Sequence, residues 1–280
     1  LIRRRRPTDL SPVAPGSVPE EVRPLIVAFN DMMARLEENL QAQQRFIADA
    51  AHQMRTPLTG LRMQTDLALL ETDPELQRQS LRQIAESADR ASHLINQLLS
   101  LARAEASFEK IYAVETVDLE AVVREVAQDI FPRALAKNID LGVEGTGAPL
   151  PVEGNPVLLR EMIKNLVDNA IKYTPRGGSV TARTRHAGAP ILEVEDNGIG
   201  IPEADRERVF ERFFRVLGSG VDGSGLGLPI VQEIAELHRA AVSLNPNPAG
   251  QGTIAQVVFP RSQLATQPPV GLGESLAQGE

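Results

Sequence analysis

The chain contains no cysteine, and its 280 residues carry only four histidines. Disulfides and thiolate metal sites are therefore excluded, a composition suited to a reducing compartment. The histidines are too few and too scattered for a His-rich metal centre. No apolar stretch approaches the ~20 residues needed to cross a bilayer, and no secretory signal pattern is present. Basic residues are outnumbered, 29 Lys and Arg against 37 Asp and Glu, for a net charge of −8. No helix carries a basic stripe, so nucleic acid is not an expected partner.

What is present suits about two domains. The chain opens with Leu-Ile-Arg-Arg-Arg-Arg-Pro. Such a basic flank marks the cytoplasmic edge of a membrane span; a solvated tail is the alternative. Residues 7–19 are rich in proline and serine and read as an extended connector. Pro19, Glu20 and Glu21 then open a helix. Its apolar stripe is Val22, Leu25, Phe29, Met32 and Leu36. From Ile47 the stripe continues through Ala51, Met54, Leu58, Leu61, Thr65 and Ala68 in alternating steps of four and three. A break at Glu71-Thr72-Asp73-Pro74 leads to a second helix, with the seam Ile84, Ala88, Ala91, Ile95, Leu98 and Ala102. Two such helices make a hairpin that leaves apolar residues such as Leu94 and Leu99 to cover. A dimeric four-helix bundle would bury them; a monomeric hairpin packed on the other domain is the alternative.

Composition changes after Phe108. Residues 112–117 read as a strand, and Asp118 caps a helix running toward Lys137. A strand is expected over 139–145 and a strong helix start at Asn155-Pro156. Period-two patterns mark strands over 179–186 and 191–196. Short helices are expected over 203–211 and 227–240, then strands near 241–245 and 253–259. The expected fold is thus a multidomain chain: an all-α hairpin followed by an α+β sandwich with helices on one face of a sheet. The domains are 1–45, connector and membrane-proximal helix; 46–108, hairpin; 109–262, sandwich; and 263–280, a disordered tail.

His52 lies next to the seam residue Ala51, so it points off the buried stripe. A lone helical histidine is usually an ordinary surface or core residue, but its neighbours are unusual. Pro57 sits inside the helix and cannot pair with the carbonyl of Gln53, which loosens the turn beside His52. In a helix interior that proline costs about 3 kcal/mol. Arg55 is suited to phosphoryl oxygens. Thr56, four residues on, shares the face of His52, unless its hydroxyl bonds back to the helix. Neutral imidazole is a competent nucleophile near pH 7, its ordinary pKa being about 6.5.

Further motifs suggest a nucleotide pocket. Asn165 and Asn169 face the same way on one helix, with Lys172 and Tyr173 at its end. Amide oxygens suit a hard cation that also holds phosphates, and Lys172 supplies positive charge. Asp196-Asn197-Gly198-Ile199-Gly200 ends an apolar strand. There Asp196 can accept from an exocyclic amine, while Gly198 and Gly200 allow close approach; a hairpin turn is the alternative. Gly223-Ser224-Gly225-Leu226-Gly227 precedes an apolar helix, an arrangement that favours phosphate. It is neither a dinucleotide fingerprint nor a Lys-bearing P-loop. Gly250-Gln251-Gly252-Thr253 closes the pocket or forms a simple hairpin.

In this order the motifs resemble the bacterial sensor histidine kinases, over roughly Pro7 to Pro260. Ala51-His52-Gln53-Met54-Arg55-Thr56-Pro57-Leu58 is similar to their phosphoacceptor box. The later blocks are similar to the N, G1, G2 and G3 boxes of the Bergerat-type ATPases. The resemblance implies a homodimer that takes ATP and Mg²⁺, with His52 as phosphoacceptor and Thr56 serving dephosphorylation of a response-regulator partner. It also implies Asn169 as Mg²⁺ ligand, Asn165 and Lys172 near the phosphates, and Asp196 on adenine. Phe210 and Phe213 match the F box, Arg215 reaches phosphate, and residues between Ile201 and Asp222 form the ATP lid. Gln53 departs from the usual acid; it can accept from the imidazole but cannot take its proton. Residues 9–40 are similar to the second half of a HAMP relay, which implies a membrane-anchored full-length protein with this portion on the cytoplasmic side of the inner membrane. A weakly catalytic signalling scaffold and a Bergerat ATPase of another type are the alternatives.

Overall fold

The structure is a computed structural model that describes residues 11–13, 22–106, 114–216 and 223–261. The arginine run, the expected helix opening at Pro19 to Glu21, Leu217–Asp222 and the tail beyond Arg261 lie outside the described residues. Two long helices come first, α1 over Arg23–Leu70 and α2 over Pro74–Ala106. The chain divides into two compact units, Leu1–Leu94 and Ile95–Glu280, the division falling within α2.

In the first unit α1 is continuous through Pro57, with Pro24 in its first turn. Helix α1 stops where Glu71 turns to an extended conformation. The Glu71 carboxylate accepts from the backbone N–H of Thr72 and of Asp73, both at 3.0 Å. Asp73 accepts from Glu75 N at 2.8 Å and so caps α2 ahead of Pro74. The hairpin is tied by Ser87 Oγ donating to Gln64 Oε1 at 3.2 Å. Its seams are only partly covered within one chain: Ala68 is buried, but Ile47 is 58% exposed and Leu58 54%. Of the residues expected to need cover, Leu94 is buried and Leu99 is 48% exposed. The connector docks on α1 through a reciprocal amide pair. Val13 N donates to Asn30 Oδ1 at 2.7 Å, and Asn30 Nδ2 donates to Val13 O at 2.9 Å.

The second unit has β1 (Glu115–Asp118), α3 (Leu119–Ala136), β2 (Asp140–Glu144), β3 (Pro151–Gly154) and α4 (Pro156–Tyr173). There follow β4 (Ser179–His186), β5 (Pro190–Asp196), α5 (Gly227–Leu237), β6 (Ala241–Pro246) and β7 (Thr253–Val258). A five-stranded mixed sheet has the order β2-β4-β5-β7-β6, with β2 parallel to β4 and the other pairs antiparallel. Alternation sets the faces. Val180, Ala182, Leu192, Val194 and Val257 are buried against the helical layer, where α4 packs between α3 and α5. Leu159, Met162, Ile163, Ile230 and Ile234 answer from the helices and are fully buried. Each such side chain contributes roughly 1.5–3 kcal/mol. The opposite face carries charged ladders, among them Glu144–Arg183–Glu195 across β2, β4 and β5.

Two expectations need correction. The short helix over 203–211 is instead two separate 3₁₀ turns, Glu203–Asp205 and Arg208–Phe210. Neither has a side-chain cap and only Val209 is buried, so nothing offsets helix nucleation. The strand β3 was not expected. It pairs antiparallel with β1 in a sheet of its own, Val117 opposite Val152.

Candidate functional site

The pocket residues are carried by α4, the end of β5, the glycine loop before α5, and the loop before β7. Helix α4 is fixed at its start by Asn155, whose Oδ1 accepts from Val157 N and Leu158 N, both at 3.0 Å. Asn165, Asn169 and Lys172 then recur at four and three residues, on one side of the helix. Asn165 is buried, and its Nδ2 donates to Glu161 O at 2.9 Å and Glu161 Oε1 at 3.3 Å. Its Oδ1 takes no hydrogen bond among the described residues.

The glycine loop lies directly on this side of α4. A Cβ placed on Gly227 would come 2.8 Å from Asn169 Nδ2, and one on Gly223 would collide with Lys172 Nζ. Gly225 has φ +71 and sits against the backbone of Phe213, whose N–H donates to Gly225 O at 2.9 Å. Leu226 is fully buried and anchors the loop, and its N–H donates to Ser224 Oγ at 3.2 Å. Lys172 Nζ stands 5.3 Å from the Tyr173 ring centroid. Burial pushes the Tyr173 hydroxyl up, and the nearby charge of Arg215 opposes this. Arg215 thus lies within electrostatic reach of the pocket edge.

At the end of β5, Asp196 is buried. Its Oδ1 accepts from Gly198 N at 2.8 Å and Thr253 N at 3.2 Å. Its Oδ2 takes no hydrogen bond among the described residues. Burial raises its pKa above the usual carboxylate value, the two N–H donors pull it back, and Glu195 pushes it up. Gly198 is required by space: a Cβ there would lie 2.6 Å from Tyr173 O. Gly200, at φ +72, faces Gly252 O. A buried acceptor with one open oxygen, next to Gly198, is an environment for an exocyclic amine.

In the other unit His52, Arg55 and Thr56 are exposed on α1, while Gln53 is half-buried. Thr56 Oγ1 makes no hydrogen bond among the described residues. Thr65, farther along the helix, bonds back to Leu61 O at 2.8 Å. Among the described residues no helix is long and apolar enough to cross a membrane, and no cluster of His, Cys, Asp or Glu could hold a metal by itself.

Two family models match the chain. Residues 42–107 match the His Kinase A (phospho-acceptor) domain. Residues 154–263 match the histidine kinase-, DNA gyrase B- and HSP90-like ATPase. The sensor protein BasS of Escherichia coli is 32% identical over 263 residues, 92% of this chain and 70% of BasS.

The chain belongs to the sensor histidine kinases.

This kinase is also 38% identical to the sensor protein kinase PmrB of Pseudomonas aeruginosa over 274 residues, 96% of its own length and 56% of PmrB. It thus spans little more than half of that relative. Among solved structures, the histidine kinase ThkA in complex with the response regulator protein TrrA matches with a TM-score of 0.65 at 23% identity, covering 81% of this chain and 64% of that one. That likeness is one of fold.

Within the kinase's second unit, the predicted Asn169, Lys172, Gly223 and Gly227 come together, as do Asp196, Gly198 and Thr253. The sequence reading missed Glu161, which holds the Asn165 amide, although its i−4 spacing was a usable signal. It also missed Asn247 and His238, for which no local signal exists. Their partners are 51 and 83 residues away.

Proposed function

We propose that this kinase transfers the γ-phosphoryl group of ATP to Nε2 of His52, then passes it to an aspartate of a response-regulator receiver domain. The observation that carries the nucleotide half is Asp196: buried, held through one oxygen, open at the other, and next to Gly198, which packs on Tyr173 O at the end of the helix that carries Asn169 and Lys172. The ATPase family match over 154–263 supports the same reading.

In this reading Asp196 accepts from the adenine amine, and Lys172, Arg215 and the loop N–H groups receive the phosphates. The amide oxygens of Asn165 and Asn169 fit Mg²⁺, a hard cation that prefers oxygen donors. When bound it offsets charge on the phosphoryl oxygens. The imidazole of His52, whose Nδ1–H Gln53 would accept, presents the Nε2 lone pair. The P–N bond forms as the bond to the ADP oxygen breaks. In the same reading Thr56, whose Oγ1 makes no hydrogen bond among the described residues, orients water during dephosphorylation of the regulator.

The exposed hairpin seams support a homodimer, and membrane anchoring of the full-length protein is proposed from the basic N-terminus and the HAMP-like connector. A kinase–regulator complex among proteins of the same fold supports the receiver as partner. The test is a two-stage transfer. The chain is labelled with γ-labelled Mg-ATP, freed of nucleotide and mixed with candidate receiver domains. Label should leave the chain and appear on a receiver aspartate. Label that reaches no receiver of the source organism would contradict the transfer step.

A further inference from the structure

We propose that Asn247 is a positioning residue that sets the preference for adenine by fixing Asp196. The proposal rests on the reading of Asp196 as the adenine acceptor and extends it to a residue that touches no nucleotide.

Asn247 is buried just beyond β6. Its Nδ2 donates to the main-chain oxygen of Asp196 at 2.9 Å and to Glu195 Oε1 at 3.1 Å. Its Oδ1 accepts from Ala249 N at 2.9 Å, its own N–H donates to Gly252 O at 3.2 Å, and its carbonyl accepts from Gly250 N at 3.3 Å. One residue therefore knots the loop 247–252 and ties it to the end of β5. The loop runs so close to Asp196 that a Cβ on Gly252 would fall 1.9 Å from the Asp196 main-chain oxygen. Thr253 N, at the end of that loop, then meets Asp196 Oδ1. Asp196 is thus pinned at its carbonyl by Asn247 and at Oδ1 by Thr253 and Gly198, which aims Oδ2. Glu195 is held in turn, its other oxygen lying 3.1 Å from Arg183 Nη1. A carboxylate aimed this way attracts the amine of adenine and repels the carbonyl oxygen that guanine carries in its place.

The test compares equilibrium binding of Mg-ATP and Mg-GTP to the full chain. Asn247→Asp keeps the Oδ1 acceptor for Ala249 and replaces the donor by an anionic oxygen facing Asp196 and Glu195; Asn247→Ala removes both. The Kd for ATP should rise on the order of 10-fold while that for GTP changes by less than about 2-fold, so the ATP:GTP preference falls. In an Asp196→Ala background, Asn247→Asp should leave the preference unchanged, because it acts through Asp196. An equal loss for both nucleotides, or no loss, overturns the proposal, as does an undiminished effect in the Asp196→Ala background. A wild-type chain that binds both equally well overturns the adenine reading of Asp196 itself, a result visible before any substitution.

Discussion

Gln53 stands beside His52 where an acid would assist proton removal. Imidazole is itself a competent nucleophile, so such help adds little. Gln53→Glu should therefore speed autophosphorylation on the order of 10-fold or less and leave ATP affinity unchanged. Thr56→Ala should leave autophosphorylation largely intact and slow regulator dephosphorylation. Separate assays of the two steps check this, and the opposite pattern would reverse the roles assigned to the box. His238 makes a second residue-scale case. Its Nδ1 donates to Ile234 O at 2.6 Å and its Nε2 accepts from Asn155 N at 3.0 Å, so the neutral ring bridges α5 and the start of α4. Burial lowers its pKa, partly opposed by the Ile234 carbonyl. A depressed folded pKa means that stability is present above about 6.5 and lost as pH falls through that value toward the folded one. The urea midpoint of the wild type should be lower at pH 5.5 than at pH 7.5, and His238→Gln should flatten that difference. An equal pH dependence in the variant would show that other groups carry it.

At the scale of elements, the start of α4 is a local device with a distant use. Asn155 caps the helix that presents Asn165, Asn169 and Lys172. Asn155→Ala should cost about 1 kcal/mol of stability in denaturant unfolding. Asn155 and Pro156 were legible in the sequence because a cap and a first-turn proline are adjacent residues. So were Asp118 at the start of α3 and the alternating strands β4 and β5, whose signals lie within a few positions. The two 3₁₀ turns near Val209 and the strand β3 were not legible. The turns copy the composition of a short helix without its capping, and β3 exists through its pairing with β1, which lies 33 or more residues earlier in register. The same distinction divides the site. Asp196 and the glycines announce themselves by motif, whereas Asn247 and His238 act through partners that only folding brings near.

For the whole molecule, the hairpin leaves Ile47, Leu58, Ile95 and Leu99 substantially exposed on a single chain. A second copy of the hairpin is the economical cover for such a seam. Light scattering over a concentration series should approach twice the 30.4 kDa chain mass; a strict monomer at tens of micromolar would contradict the bundle. The proposed reaction for the whole molecule is transfer of a phosphoryl group from bound ATP to His52. It is tested most directly by incubating the wild type and His52→Gln with γ-labelled Mg-ATP and following acid-labile, base-stable phosphate alongside ATP binding. Label should appear on the wild type alone, with ATP binding intact in both. Equal labelling of His52→Gln, or a wild type that binds ATP and never takes up label, would contradict it.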